Sequence, residues 1–104
     1  MTVEELMKSI DGFALDRDWT RYHTPKNLAL SVGIEAAELV EHFQWLTDEE
    51  SRAVVQDPEA QAEIAGEVAD VLIYLLRFCS VAGIDPIASA SAKVEENRSR
   101  TWSR

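Results

Sequence analysis

Apolar residues recur along most of the chain at intervals of three and four, which is the period of an α-helix. No stretch alternates apolar and polar residues between turn-forming residues, as a half-buried strand would, and glycines number only four. The pattern predicts an all-α protein. Because no linker, low-complexity tract or internal repeat interrupts it, we expect a single domain over residues 1–104.

Capping residues set the expected limits of the helices. Thr2, with Glu5 three residues later, has capping-box spacing and predicts a first helix to about Arg17. The other predicted helices run from Thr24-Pro25 to about Trp45, from Thr47 to about Asp57, from Asp57-Pro58 to Gly83, and from Asp85-Pro86 to about Arg100. Four main helices with short connections predict a four-helix bundle, to which the third helix adds a short extra one.

Two of these helices carry a polar stripe on an otherwise apolar surface. On the second helix the stripe consists of Asn27, Ser31, Glu35, Glu38, His42 and Trp45. On the long helix it consists of Glu67, Asp70, Tyr74 and Arg77. A helix that is apolar on nearly all other sides is normally surrounded by protein. Since one chain of this length hardly encloses such a helix, we expect a subunit interface.

Each stripe contains two carboxylates three residues apart, Glu35 with Glu38 and Glu67 with Asp70. Like charges at this spacing destabilise a helix unless a cation lies among them. If the stripes face each other, four carboxylates converge, and burying them unpaired is costly. Carboxylate oxygens are the ligands that Mg²⁺ prefers, so the pattern predicts a divalent metal site.

The alternative to a metal site is that the acids form a solvated surface, which is the commoner role of acidic pairs on helices. Two pairs on mainly apolar helices, each followed by an aromatic residue on the same stripe, favour the metal site. Glu63 is expected at the surface, and Glu41 either at the surface or next to the metal ligands without binding the ion. The Glu-x-x-His motif of di-iron bundles is absent from the sequence.

Composition narrows the possible partners. The formal net charge of −9 argues against binding to nucleic acid or to an anionic membrane. The single cysteine, Cys79, has apolar neighbours and is expected to be a buried thiol without a catalytic role. No apolar run approaches the ~20 residues that span a bilayer, and no targeting signal is visible, so we expect a cytoplasmic protein.

The chain contains three distinctive blocks in series: "RDWTRYHTPKNLAL", "EAAELVEHFQWL" and "EVADVLIYLL". They are followed by Lys93 and Asn97 in "KVEENRSRTW". Together these segments are similar to the MazG-like all-α nucleoside triphosphate pyrophosphohydrolases, and within that family to the small dCTP pyrophosphatase type. The resemblance implies a homodimer or homotetramer. It also implies Mg²⁺, replaceable by Mn²⁺, held by Glu35, Glu38, Glu67 and Asp70. The implied reaction is hydrolysis of a nucleoside triphosphate between the α and β phosphates. Glu38 and Glu35 are the candidate catalytic residues, with Glu38 chosen to orient or deprotonate the attacking water.

The same resemblance places substrate-binding residues at Trp19, Trp45, Tyr74, Lys93 and Asn97. Members that select dCTP carry a histidine on the first helix where this chain has Ile10, so cytosine selectivity is not implied. The sequence leaves open the base and sugar preference, the number of metal ions and the roles of Arg77 and His23. It also leaves open dimer against tetramer, and whether the loop 17–27 covers substrate in its own subunit or in a neighbour. The alternative function is a non-catalytic, antitoxin-like interaction module.

Overall fold

The computed structural model describes residues 1–100, and all the regular structure in that range is helical. The helices are α1 (Val3–Asp16), α2 (Pro25–Glu41), α3 (Asp48–Val54), α4 (Pro58–Ala82) and α5 (Pro86–Arg98), with a short 3₁₀ turn at Thr20–Tyr22 between α1 and α2. The all-α prediction is confirmed. Thr101 and Trp102, the end of the block "KVEENRSRTW", lie outside the described residues.

The predicted capping residues begin every α-helix. The side chains of Thr2, Thr24, Thr47, Asp57 and Asp85 each accept a hydrogen bond from a backbone N–H of the first turn. At Thr47 both halves of the capping box are formed, since Glu50 Oε1 accepts from the Thr47 N–H at 2.9 Å. Gly83 ends α4 at φ 71°, a left-handed conformation that strains any residue with a side chain.

The predicted end of α2 was wrong by about one turn. The helix stops at Glu41, and the next backbone bonds are of the tighter i to i−3 kind, from His42 N to Leu39 O at 3.2 Å and from Phe43 N to Val40 O at 2.9 Å. The chain turns here because α3 begins only a few residues later. Trp45 therefore leaves the polar stripe on which the sequence placed it.

The main helix packing within the described chain is between α2 and α4, and α1 also packs against α4. The buried apolar residues of the described chain are few and come from these three helices: Ala14, Leu28, Ile64, Leu76 and Cys79. Cys79 is a free thiol and is buried, as the sequence predicted. Apart from α2–α4 and α1–α4, no helix pair within residues 1–100 packs extensively.

The four-helix bundle that the sequence predicted is not closed within one chain. α5 leaves α4 at 99° after Gly83, so it does not return along the other helices. No single described helix is long and apolar enough to cross a membrane, and α4 and α5 meet that test only when they are taken together across this bend.

Candidate active site

Glu35 and Glu38 on α2 and Glu67 on α4 form an acidic cluster. One carboxylate oxygen from each lies within 4.8 Å of the other two, and all three side chains are half-buried. The close packing of α2 on α4 brings the two polar stripes together. Asp70, one turn beyond Glu67, is more exposed and stands outside this closest group, but its negative charge acts on Glu35.

Two oxygens of this cluster are buried without a hydrogen-bond partner, Glu35 Oε2 and Glu67 Oε2. Burial raises the pKa of Glu35, and a hydrogen bond with Glu38 raises it further. The negative charges of Glu38, Asp70 and Glu67 add to this rise in the pKa. Buried acceptors normally have a partner, and a converging set of carboxylate oxygens suits a hard divalent cation. These residues therefore fit the metal that the sequence predicted.

His42 stands beside the cluster at the end of α2. Its Nε2 lies 3.8 Å from Glu67 Oε1, which is too long for a hydrogen bond but is an ion-pair distance when the imidazole is protonated. The imidazole approaches Oε1, whereas the unpartnered oxygen of Glu67 is Oε2. Glu67 thus keeps one oxygen available for another ligand.

A cavity of about 420 Å³ adjoins the acidic cluster. Asp70 belongs to the cavity wall and also acts electrostatically on Glu35, so it connects the two parts of the site. The aromatic and basic side chains of the wall are Phe13, Trp19, His23, Tyr74 and Arg77. The volume and the aromatic lining suit a small planar ligand such as a nucleobase.

The turn after α1 positions Trp19 in this wall. Asp18 adopts φ 57°, and the Trp19 N–H then donates to Ala14 O at 2.9 Å, which closes the turn. The indole meets the ring of Phe13 edge to face, with 5.3 Å between centroids and 78° between planes. Trp19 remains 41% exposed, so part of its ring is free to stack on a ligand.

Arg77 is a buried cation in the same wall, and it has two hydrogen-bond partners. It is 8% exposed, and it donates from Nη1 to Asp11 Oδ1 and from Nε to His23 Nδ1, both at 2.9 Å. The sequence left the role of Arg77 open. The structure pairs it with Asp11 on α1.

Three predicted substrate-binding residues do not line this cavity. Trp45 is 86% exposed in the turn after α2. Lys93 is exposed on α5, where its Nζ lies 3.4 Å from Glu96 Oε2, and Asn97 is half-buried on the same helix. Glu41 and Glu63 are exposed, as the sequence predicted. Trp19 and Tyr74 do line the cavity, together with Asp70.

Sequence reasoning missed Phe13, which lines the cavity, and Asp11, which pairs with the lining residue Arg77. Phe13 is half exposed, and its ring contacts the ring of Trp19. Asp11 gave no local signal, because its partner Arg77 lies far along the chain. The signal in the sequence was Arg77 itself, because an arginine on a mainly apolar helix needs a carboxylate partner somewhere in the chain. Ile10 also lines the cavity.

Comparison with known proteins identifies the family. The profile of the MazG-like family matches residues 30–102, which include both acidic pairs. The chain belongs to the MazG-like family. This MazG-like chain is similar to dCTP pyrophosphatase 1 of Bos taurus, at 35% identity over 99 residues, and to dCTP pyrophosphatase 1 of Homo sapiens, at 36% over 99 residues. Both alignments cover 95% of the chain but only 59% and 58% of those proteins.

A solved structure supports the fold of the MazG-like chain. The crystal structure of a pyrophosphatase from Archaeoglobus fulgidus superposes with a TM-score of 0.84 at 47% sequence identity. The superposition covers 90% of this chain and 86% of that one. The overall helix arrangement therefore belongs to a fold that is known from experiment.

Proposed function

We propose that the chain, taken as one domain over residues 1–104, is a Mg²⁺-dependent nucleoside triphosphate pyrophosphohydrolase. The observation that carries the proposal is the pair of buried, unpartnered oxygens of Glu35 and Glu67 on two facing helices, beside an aromatic cavity. A solvated acidic patch has no reason to bury such oxygens. The similarity to dCTP pyrophosphatases and to a pyrophosphatase structure supports the same reaction class.

Glu35, Glu38 and Glu67 would hold the cation, with Asp70 next to them at the cavity wall. Bound there, Mg²⁺ would neutralise phosphate oxygens and lower the pKa of a nearby water. Burial, then the hydrogen bond with Glu38 and the neighbouring negative charges, raise the pKa of Glu35 when no cation is present. The residues therefore bind a cation in competition with protons.

Glu38 is our choice for the residue that orients or deprotonates the attacking water. Its carboxylate belongs to the cluster, whereas the buried, unpartnered oxygens belong to Glu35 and Glu67. Water would attack the α-phosphorus, the bond from that phosphorus to the bridging oxygen would break, and pyrophosphate would leave. The products are a nucleoside monophosphate and pyrophosphate, which is the chemistry of nucleotide-pool cleaning.

The aromatic cavity would hold the base and sugar, with Trp19 and Tyr74 in its wall. Aromatic stacking tolerates different bases because every base has a π-face. Ile10 offers the base no hydrogen bond, so the cavity lacks the histidine that marks dCTP-selective members. dCTP, suggested by the names of the relatives, and modified deoxynucleoside triphosphates are the first substrates to test.

A second copy of the chain would complete the site and cover the exposed apolar faces. Large apolar side chains are exposed on both central helices: Leu30, Ile34 and Val40 on α2, and Val68, Leu72 and Leu75 on α4. The radius of gyration is 16.5 Å, whereas about 13 Å is expected for a compact domain of this size. In a homodimer or homotetramer, Trp45, Lys93 and Asn97 would reach the substrate of a neighbouring subunit.

The deciding experiment combines product analysis with isotope labelling. The purified protein is incubated with Mg²⁺ and a panel of natural and modified triphosphates in ¹⁸O-water, and the products are identified by mass spectrometry. We expect monophosphate that carries the label and unlabelled pyrophosphate. Label in pyrophosphate, or release of inorganic phosphate and a diphosphate, contradicts the proposed cleavage position. Absence of turnover with every triphosphate would support the non-catalytic interaction module instead.

A further inference from the structure

Asp11, Arg77 and His23 form a hydrogen-bonded chain at the cavity wall. The three residues come from α1, from α4 and from the loop that precedes α2. The central guanidinium makes both contacts at 2.9 Å, to a carboxylate oxygen on one side and to an imidazole nitrogen on the other. Because the guanidinium is planar and its N–H groups point in fixed directions, both partners are held in a defined orientation.

The contact between Arg77 and His23 determines which ring nitrogen of His23 carries the proton. Arg77 Nε–H donates to Nδ1, so Nδ1 is an acceptor and has no proton. In a neutral imidazole the proton then lies on Nε2. Burial lowers the pKa of His23, and the charge of Arg77 lowers it further, so the ring stays neutral at neutral pH.

The Nε2–H group of His23 is available to a ligand. Nε2 makes no hydrogen bond to any part of residues 1–100, and it is not among the buried polar atoms without a partner, so solvent reaches it. His23 lines the same cavity as Trp19, whose ring centroid lies 6.2 Å from the imidazole. A single fixed donor thus stands beside the surface on which a base would stack.

We propose that His23 is a specificity-determining residue, whose Nε2–H donates to an acceptor atom on the base of the substrate, and that Arg77 and Asp11 are positioning residues. The inference rests on the proposed function for the identity of the occupant. A carbonyl oxygen or an unprotonated ring nitrogen fits this donor. An amino group at the same place is rejected, because two N–H groups would face each other and leave a polar contact unmade.

Binding of non-hydrolysable substrates tests the contact to the base. The probes are the α,β-methylene analogues of the four common deoxynucleoside triphosphates and the matching analogue that lacks a base, titrated calorimetrically with Mg²⁺ present. We expect His23→Phe to weaken the best-binding base-containing probe by about five- to tenfold, the usual value of one hydrogen bond. Binding of the base-free probe should change less than about twofold, since it makes no such hydrogen bond.

His23→Gln is the matched control, because its amide can place an N–H donor near the position of Nε2. We expect it to recover most of the lost affinity for the base-containing probe. Equal weakening of the base-containing and base-free probes by His23→Phe, or no recovery in His23→Gln, would overturn the assignment. The first result would mean that His23 acts on the phosphates or on the fold.

The tautomer is measured separately, on the ligand-free protein, from the ¹⁵N chemical shifts of the histidine ring. We expect wild-type His23 to be protonated on Nε2 alone, and a proton on Nδ1 would refute the proposed positioning. Arg77→Met should give a mixture of tautomers, whereas a single Nε2 tautomer in that variant would show that Arg77 does not set it. If Arg77→Met does not fold, the partly exposed Asp11→Asn replaces it, with a smaller shift toward the mixture expected.

The two proposals fail in different ways. Suppose that His23→Phe weakens binding of the base-containing probe but not of the base-free probe, and that no triphosphate is hydrolysed. The proposed enzyme function is then wrong, and the role of His23 stands. If triphosphates are hydrolysed but His23→Phe weakens all probes equally, the enzyme function stands and the role of His23 is wrong.

Discussion

Glu35 on α2 and Glu67 on α4 face each other, with carboxylate oxygens within 4.8 Å, and each buries an Oε2 that has no hydrogen-bond partner. Two like charges at this distance repel unless a proton or a cation lies between them. Burial, the hydrogen bond with Glu38 and the nearby carboxylates raise the pKa of Glu35, so this side chain holds a proton to a higher pH than an ordinary glutamate does. A cation bound among these carboxylates would compete with that proton.

Removing one carboxylate from the cluster should abolish most activity. We expect Glu67→Gln to lower kcat by about 100-fold or more, because the cation stabilises the charge of the transition state by several kcal/mol. Steady-state pyrophosphate release measures the effect. Glu63→Gln, an exposed position one turn earlier on the same helix, is the control and should keep wild-type activity. Similar losses in both variants would mean that the overall acidity of α4, not the cluster, supports turnover.

The metal-free protein should lose stability as the pH rises. The pKa of Glu35 is higher in the folded protein than in the unfolded chain, so the folded state binds the extra proton. The contribution of Glu35 to stability is then largest below the ordinary glutamate pKa and is lost as the pH rises through the raised pKa. Thermal unfolding in EDTA across this window measures the slope.

Two controls accompany the pH series. Glu35→Gln should flatten the fall in Tm over this window, because it removes the titrating group. Mg²⁺ should raise the Tm of wild type most at the high-pH end, where the cation no longer competes with protons. A metal-induced rise in Tm that is the same at every pH would show that metal binding and this proton are not linked.

Trp19 should contribute to substrate affinity. We expect Trp19→Ala to raise KM by about tenfold with a smaller change in kcat, since stacking of one base on an aromatic ring is worth ~1–3 kcal/mol. The measurement is a Michaelis series with the best triphosphate of the panel. Trp19→Phe keeps a ring for stacking and should stay within about threefold of wild type. If Trp19→Phe were as impaired as Trp19→Ala, the indole would mainly stabilise the turn after α1 and would contribute little to ligand binding.

Mixed oligomers should show that neighbouring subunits complete the site. Trp45 lies away from the cavity of its own chain, whereas Glu67 and Trp19 belong to one site within a chain. Mixing and refolding Trp45→Ala with Glu67→Gln should therefore restore some wild-type sites and some activity. Mixing Trp19→Ala with Glu67→Gln should restore none, because every site then carries one defect. No recovery in the first mixture would place Trp45 outside the site.

The exposed apolar face of α2 should hold the subunits together. Ile34 is 60% exposed, and a charge there is expected to separate the subunits because it would be buried unpaired in an interface. Light scattering should give the mass of one 11.7 kDa chain for Ile34→Asp and a multiple of it for wild type. Lys26→Asp, an exposed polar position on the same helix, should keep the wild-type mass. A monomeric wild type would contradict the proposed assembly.

The sequence alone determined the local structure of this protein. Side chains at Thr47, Asp57 and Asp85 bond the first backbone N–H groups of their own helices, and Gly83 adopts the left-handed conformation that ends α4, so nearby residues fix these boundaries. The helical spacing of Glu35, Glu38, Glu67 and Asp70 likewise put each acidic pair on one side of its helix. The end of α2 escaped prediction because backbone bonding tightens there without any marker residue.

Only the tertiary structure decided which of these stripes meet and what lies beside them. Packing of α2 on α4 buries the Glu35 and Glu67 oxygens. This burial and the nearby charges raise the pKa of Glu35, and no local sequence pattern contains either of them. The ion pair of Asp11 with Arg77 joins α1 to α4 across most of the chain length. Helix periodicity fixes the side of a helix on which a residue lies, whereas its partner depends on how the helices are arranged in space.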